Sequence, residues 1–421
     1  MTQIPAPTVV FMNRYFAPDH SSTSQMLSDV AFALADRGMK IAVIASRQLY
    51  DSPQTSLPAV EKLQGVSVHR VWTTRYGRAN LFGRALDYAT FYLSAAFWLL
   101  RHIRRGDIVV VKTDPPMLSV IVAPIAKQRG ARVVNWLQDV FPEVAEVLGL
   151  GSGRLSRFAY GGMRALRNRS LRSADMNVVL GERMALRLQA FGVAPGRIRT
   201  IMNFADGQNL KPLAHEKNEL RRSWGLGGQF VVGYSGNLGR AHEYATFLDA
   251  ISAIETANSS HAPVVWLFIG AGALYEKFRA AVQERGLSSV RFEPYQPRER
   301  LSESLSAADV HLVSLRPDLE GLIVPSKFYG VAAAGRPVVF VGDLDGEIAR
   351  QLARLDCGVT VREGDGKGLA QALLVLAGSP ERLAIMGRNA RRGFEAEFDK
   401  PIAIARWQAL LEALIGSADE I

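Results

Sequence analysis

The sequence predicts an α/β protein of two successive doubly wound domains, each a parallel sheet with right-handed crossovers. Three observations lead there. A length of 421 residues exceeds one typical domain and suits two. Short apolar runs of strand character alternate with stretches at helical spacing, as βαβ units require. That alternation stops in a polar, glycine-containing stretch ending at Gly228 and restarts at Phe230.

Thr8–Met12 (TVVFM) is the first strand and yields to a polar loop through Pro18. Ser21–Arg37 then sets Met26, Val30, Ala33 and Leu34 near helical spacing, and Gly38 ends it. Lys40–Ala45 is the next strand, with others at Val66–Val71, Ile108–Lys112, Arg132–Leu137, Met176–Leu180 and Ile198–Ile201. Residues 1–205 form the first domain, and 206–228 a linker with a short helix. In the second domain, 229–397, strands fall at Phe230–Tyr234, Val264–Ile269, Val290–Phe292, Val310–Leu315, Val338–Val341 and Gly358–Val361. A closing helix over 398–421 carries an apolar stripe including Trp407, Leu410 and Leu414.

Hydrophobic residues make up 48% of the chain, ample for two cores. The single cysteine, Cys357, excludes an internal disulfide and a cysteine-based metal cage, and fits a reducing cytosol. Its plainest role is that of a small buried apolar residue. The first residues show no charged segment followed by an apolar run, so no signal peptide is expected, and the longest apolar run, Tyr88–Leu100, is too short to span a bilayer. The net charge of +10 is uneven: residues 1–210 hold 26 Lys and Arg against 14 Asp and Glu, the remainder 24 against 26. An excess confined to the first half suits an anionic surface, phospholipid or nucleic acid. Lipid is favoured because Arg75, Arg78 and Arg84 precede the aromatic Tyr88–Leu100 run and Arg101, Arg104 and Arg105 follow it. The same run also reads as a buried helix with solvated arginines at its ends.

Gly321–Pro337 (GLIVPSKFYGVAAAGRP) organises the second half. It reads as loop, helix, strand, with Pro325 at the helix entrance, Ser326 as cap or first-turn residue and Gly335 just past the end. Lys327 adds a full charge beside the helix start, a place that suits a phosphate, although an ordinary helix with a solvated lysine fits the spacing equally. Ligands of doubly wound sheets lie beyond the carboxyl ends of the strands. Standing there are Gly236, Asn237, Gly239 and Arg240 after one strand, Gly270 and Gly272 after another, and Glu293, Pro294 and Tyr295 after a third. Glycines let backbone approach a phosphate, and Arg240 and Lys327 can balance a diphosphate. Each loop alone could be a plain tight turn; together they describe a nucleotide-diphosphate pocket.

In the first half, Asn13, Arg14, Tyr15 and Asp19 follow the first strand, and Asp114 and Asp139 follow two middle ones. The two aspartates are the carboxylates best placed for acceptor or general-base work, with capping and turn formation before the prolines as their other reading. The seven histidines show no metal-binding spacing, so no metal is expected. The first strand is not followed by GxGxxG, which disfavours a dinucleotide oxidoreductase.

Tyr15-Phe16-Ala17-Pro18, Arg37-Gly38, Ala174-Asp175, Asn203, Ala307–Val310, Pro325-Ser326-Lys327 and Ala333–Pro337 together resemble glycosyltransferase family 4, retaining enzymes of the GT-B fold, along nearly the whole chain. Trp136–Glu143 (WLQDVFPE) and Val324–Val338 look most like L-fucosamine transferases of O-antigen and colanic-acid type gene clusters. The resemblance implies two Rossmann-like domains facing a central cleft and a final helix crossing back to the first. It further implies a nucleotide-sugar donor, UDP-linked, in the C-terminal domain, with its diphosphate at Arg240 and Lys327 and its base near Gly270–Gly272 and Glu293–Tyr295. A saccharide on a polyprenyl diphosphate would dock on the basic N-terminal domain, at the inner face of the cell membrane and without nucleic acid. Two departures stand out. The family's Glu-x7-Glu pair falls on Leu322 and Gly330, with Glu320 out of register, and its phosphate-loop cations fall on Asn237 and near His242. A UDP-sugar epimerase on the same architecture and a non-enzymatic binder of anionic membranes are the alternative readings.

Overall fold

The computed structural model describes residues 6–52, 54–77, 81–150, 153–257 and 263–416, which leaves Arg78 outside the described residues. The chain divides into two compact units. One takes residues up to Ile201 together with those from Ile404 onward, and the other takes Met202–Ala403.

The first unit is built on eight strands: β1 (Val9–Met12), β2 (Ile41–Ser46), β3 (Val60–Leu63), β4 (Val66–Val71), β5 (Ile108–Lys112), β6 (Arg132–Trp136), β7 (Met176–Val179) and β8 (Ile198–Thr200). Their order is β3-β4-β2-β1-β5-β6-β7-β8, and every pairing is parallel except β3 with β4. Strands such as VVFM and IVVVK are buried along their whole length, as expected where helices cover both faces of a parallel sheet. The order reverses between β1 and β5, so the loops leaving those two strands flank a topological switch point. β3 was not expected from the sequence. It is an edge strand, and Gln64 and Gly65 both take positive φ, 42° and 81°, in the two-residue turn that joins it to β4.

The Tyr88–Leu100 run lies within a 22-residue helix, Leu81–His102. Asp87, Phe91, Ala95 and Leu99, four residues apart, are buried in the unit, whereas Phe82, Leu93, Phe97 and Leu100 are exposed. The last helix, Lys400–Gly416, contributes Trp407 to the first unit's core, its ring 4.6 Å from Trp136 and 6.3 Å from Phe11. Among the described residues no single helix is long and apolar enough to cross a membrane.

The second unit has six parallel strands: β9 (Phe230–Ser235), β10 (Val264–Ile269), β11 (Val290–Glu293), β12 (Val310–Ser314), β13 (Val338–Gly342) and β14 (Gly358–Arg362). Their order, β11-β10-β9-β12-β13-β14, reverses between β9 and β12 in the Rossmann manner. Its core is aromatic, with Phe268 against Phe278 at 4.4 Å and against Tyr234 at 5.7 Å. Residues 206–228, expected as a linker, are fastened to this unit. Asn218 caps the helix Glu219–Ser223, Arg221 bonds Ala307 O and Asp309, and Arg391 bonds Leu210 O.

Candidate active site

In the second unit the residues beyond β9, β10 and β12 close around one point. Gly236 N donates to Ile269 O, Leu238 N to Ala271 O and Leu274 N to Leu238 O, which sews the loop after β9 to the loop after β10. Two glycines are obligatory there. A Cβ on Gly270 (φ +139°) would lie 2.4 Å from Gly236 O, and one on Gly272 (φ +143°) 2.4 Å from Asn237 Oδ1. Gly239 approaches Asn237 in turn. Backbone packed this closely presents no side chain in the way of a bulky anion.

Lys327 is the cation of this site. Its stem runs beside Gly236, where an added Cβ would meet Cε at 3.1 Å, and its ammonium sits 5.3 Å from the centre of the Tyr234 ring. Lys327 Nζ lies 2.9 Å from His242 Nε2, and His242 Nδ1 lies 2.6 Å from Ser314 O. Among the described residues no carboxylate pairs with Lys327, and loss of water around it draws its pKa down to about 7. Burial, then the Lys327 charge, holds His242 down at about 3. Arg240 shares the loop with His242 but is exposed, without a bonding partner among the described residues.

Pro325 is buried and Ser326 exposed ahead of the helix Lys327–Ala333. The Ser326 hydroxyl makes no capping bond, and seven residues give a helix of under two turns, so the expected dipole contribution to anion binding is small. Gly335 takes φ +64° just beyond it. Glu293 offers its carbonyl to Gly270 N, Pro294 is exposed, and Tyr295 is exposed with its ring edge beside Gly270. Glu320 is buried, accepts from Glu347 N at 2.8 Å and has its pKa raised by burial.

The first unit treats its expected residues differently. Asn13, Arg14 and Asp19 were expected to meet an acceptor; the structure turns all three inward. Asn13 donates to Tyr15 O, and Arg14 pairs with Asp87 at 3.0 Å and bonds Gln48. Asp19 accepts from Ser21 N and Tyr50 N. Tyr15 is buried with its ring edge-on to Tyr50. Asp114 is half-buried at the switch point, its carbonyl accepting from Arg14 N.

Asp139 lines a pocket with Thr113, Asn135, Leu137 and Arg167. Its Oδ1 is sealed from solvent without a hydrogen bond among the described residues, and burial pushes its pKa up to about 6, against a stabilising bond from Thr113 and with a further push from Asp114. Lys112, a strand residue without a loop motif to flag it, borders the same pocket. It bonds Thr23 O, sits 4.0 Å from the Trp136 ring and is drawn down to about 7 by burial. His242 and Tyr234 complete the second unit's site, yet the sequence signals neither as a functional residue. Only the position of His242, near an expected family cation, points that way.

Comparison with known proteins accords with these two halves. Residues 23–203 match a glycosyl transferase 4-like domain, and residues 229–379 match the glycosyl transferases group 1 domain. The chain is similar to WbjE of Pseudomonas aeruginosa, named a probable glycosyltransferase, at 26% identity over 76% of this chain and 78% of the relative. WcaI of Escherichia coli K12, whose name assigns it to colanic acid biosynthesis as a glycosyl transferase, is 23% identical over 91% and 95%. Among solved structures, Anabaena Alr3699/HepE in complex with UDP-glucose superposes with a TM-score of 0.69 at 16% identity, covering 96% of this chain and 99% of that one. The chain is a glycosyltransferase of the GT-B fold, its first unit 4-like and its second of group 1.

Proposed function

We propose that the protein transfers a sugar from a UDP-linked donor, bound by the second unit, to a saccharide carried on a polyprenyl diphosphate in surface polysaccharide biosynthesis. One observation carries the reading. The Lys327 ammonium, largely withdrawn from water, has no carboxylate to answer it among the described residues and stands beside loops whose glycines put backbone rather than side chains next to it. A departing diphosphate supplies the missing negative charge, and Lys327, with Arg240 on the neighbouring loop, stabilises it as it develops. The charge-balancing work is assigned to these cations rather than to a metal. Asp139, with its pKa near neutrality, takes the acceptor hydroxyl proton. Retention of configuration rests on the family 4 resemblance along the chain, and an N-acetylated amino or deoxy sugar such as L-fucosamine as the group moved rests on the motif resemblance at Trp136–Glu143 and Val324–Val338. The names and bound ligand of the similar proteins support a polysaccharide pathway and a UDP-linked donor.

The reading extends to a cytoplasmic location at the membrane's inner face. The exposed face of Leu81–His102 offers Phe82, Leu93, Phe97 and Leu100, with the Arg101 guanidinium 3.6 Å above the Phe97 ring and Arg104 and Arg105 exposed just beyond. Apolar side chains bordered by arginines suit an anionic lipid surface. The test is a thermal-shift series with UDP-, GDP- and dTDP-sugars on the wild-type protein and Lys327→Ala. UDP-sugars should raise the melting temperature of the wild type alone, and Lys327→Ala should lose transfer while its unliganded melting temperature falls no lower than the wild type's. A preference for GDP or dTDP overturns the donor; an undiminished shift in Lys327→Ala overturns the phosphate role. Interconversion of a UDP-sugar without acceptor would mark an epimerase instead.

A further inference from the structure

We infer that His242 is a positioning residue for Lys327: its Nε2 accepts one ammonium hydrogen and pins the cation against the Gly236 loop, with the other two hydrogens left for the phosphate oxygens of a nucleoside diphosphate. The inference rests on the UDP-donor reading above and adds to it a residue that itself touches no substrate.

The hydrogen-bond chemistry fixes the roles. Ser314 O is a carbonyl and can only accept, so the 2.6 Å contact places the proton on His242 Nδ1. In the neutral ring Nε2 is then a bare acceptor, and the ammonium 2.9 Å away donates to it. Ring protonation would set an N–H against Nζ, and the low pKa of His242 excludes that form across the working pH range. Among the described residues Tyr234 is the other ionisable side chain against Lys327, and burial raises its phenol pKa well above its usual value, so it stays neutral too. A lysine has four side-chain torsions, and fixing them costs conformational entropy. The Gly236 contact, the Tyr234 ring and His242 Nε2 meet that cost before ligand arrives, which is preorganisation.

The two ring nitrogens serve different ends. The loop that carries His242 is held to the end of β12 by Nδ1 and independently by Arg316 N on Ala241 O and by the mutual bonds of Ser314 Oγ with Glu243 N and O. Loop closure therefore does not call on Nε2. An asparagine at 242 reaches about as far as Nδ1 and a glutamine about as far as Nε2, which lets the two functions be separated.

The experiment is calorimetric titration of the full chain with UDP for wild type, His242→Asn, His242→Gln, Lys327→Ala and the double variant Lys327→Ala/His242→Asn, with thermal unfolding of each. His242→Asn should weaken UDP binding about tenfold and His242→Gln less than about threefold. The double variant should bind no more weakly than Lys327→Ala alone, since the histidine acts through the lysine. If Lys327→Ala loses UDP while His242→Asn binds within twofold of wild type, the positioning role is overturned and the donor site stands. If the two losses add fully, or if His242→Gln is the weaker binder, His242 serves the loop and the positioning role is likewise overturned. If Lys327→Ala binds UDP normally, the donor reading itself fails.

Discussion

Lys327 and Asp139 illustrate how burial, the largest influence on each, prepares a side chain for chemistry. Lys327 has its pKa lowered from 10.5 to about 7, so in the unliganded protein it is increasingly neutral above pH 7. A bound diphosphate favours the ammonium, and the diphosphate of UDP keeps a constant charge above its last phosphate ionisation near ~6. UDP affinity should therefore fall as pH rises from 7.5 to 9, by up to about tenfold per unit, and be flat over that range in Lys327→Ala. Calorimetry across the range checks this. For stability the sign is opposite: between pH 7 and 10.5 unfolded Lys327 holds more protons than folded, so this group's cost to folding is full below 7 and eases as pH rises. Asp139 mirrors it. Its folded pKa of about 6 exceeds the usual 3.8, so the unfolded chain releases its proton first and stability drops as pH climbs from about 4 through 6. Asp139→Asn should raise the melting temperature at pH 7.5, leave it nearly unchanged at pH 4 and abolish transfer, as expected of a carboxylate kept for activity at the expense of stability.

At the scale of elements, the helix Leu81–His102 has two faces with opposite expected responses. Phe91→Ala on the buried face should destabilise the protein by about 3–5 kcal/mol in urea unfolding. Leu93→Glu with Phe97→Glu on the exposed face should leave unfolding nearly unchanged and remove co-flotation with vesicles rich in anionic lipid. The sequence displayed most elements because their apolar runs, such as IAVIA and VVWLFI, are buried on both faces. It hid β3, where VEKL is an exposed edge and the turn uses glutamine at a positive-φ position that asparagine or glycine commonly fills. The glycines of the second unit's site were legible for the converse reason, since Gly270 and Gly272 stand at strand ends where only glycine fits. The inward turn of Arg14 was not. Its partner Asp87 is 73 residues away, and no local spacing announces a pairing made by tertiary structure.

At the scale of the molecule, the chain length and the restart of the strand pattern at Phe230 pointed to the two-unit plan, and the fastening of residues 206–228 to the second unit was not legible because its anchors, Asp309 and Arg391, lie far along the chain. Trp407→Ala should destabilise the first unit by about 3–5 kcal/mol while UDP affinity stays within twofold of wild type, checked by unfolding and calorimetry on one preparation. The placement of Trp407 also bears on biosynthesis. Because this indole comes from the chain's closing helix, the emerging polypeptide must complete the whole second unit before Phe11 and Trp136 receive their aromatic neighbour. A ribosome stalled just short of Trp407 would leave a product whose second unit is finished and whose first still displays an open aromatic socket, the kind of surface that chaperones and proteases act on.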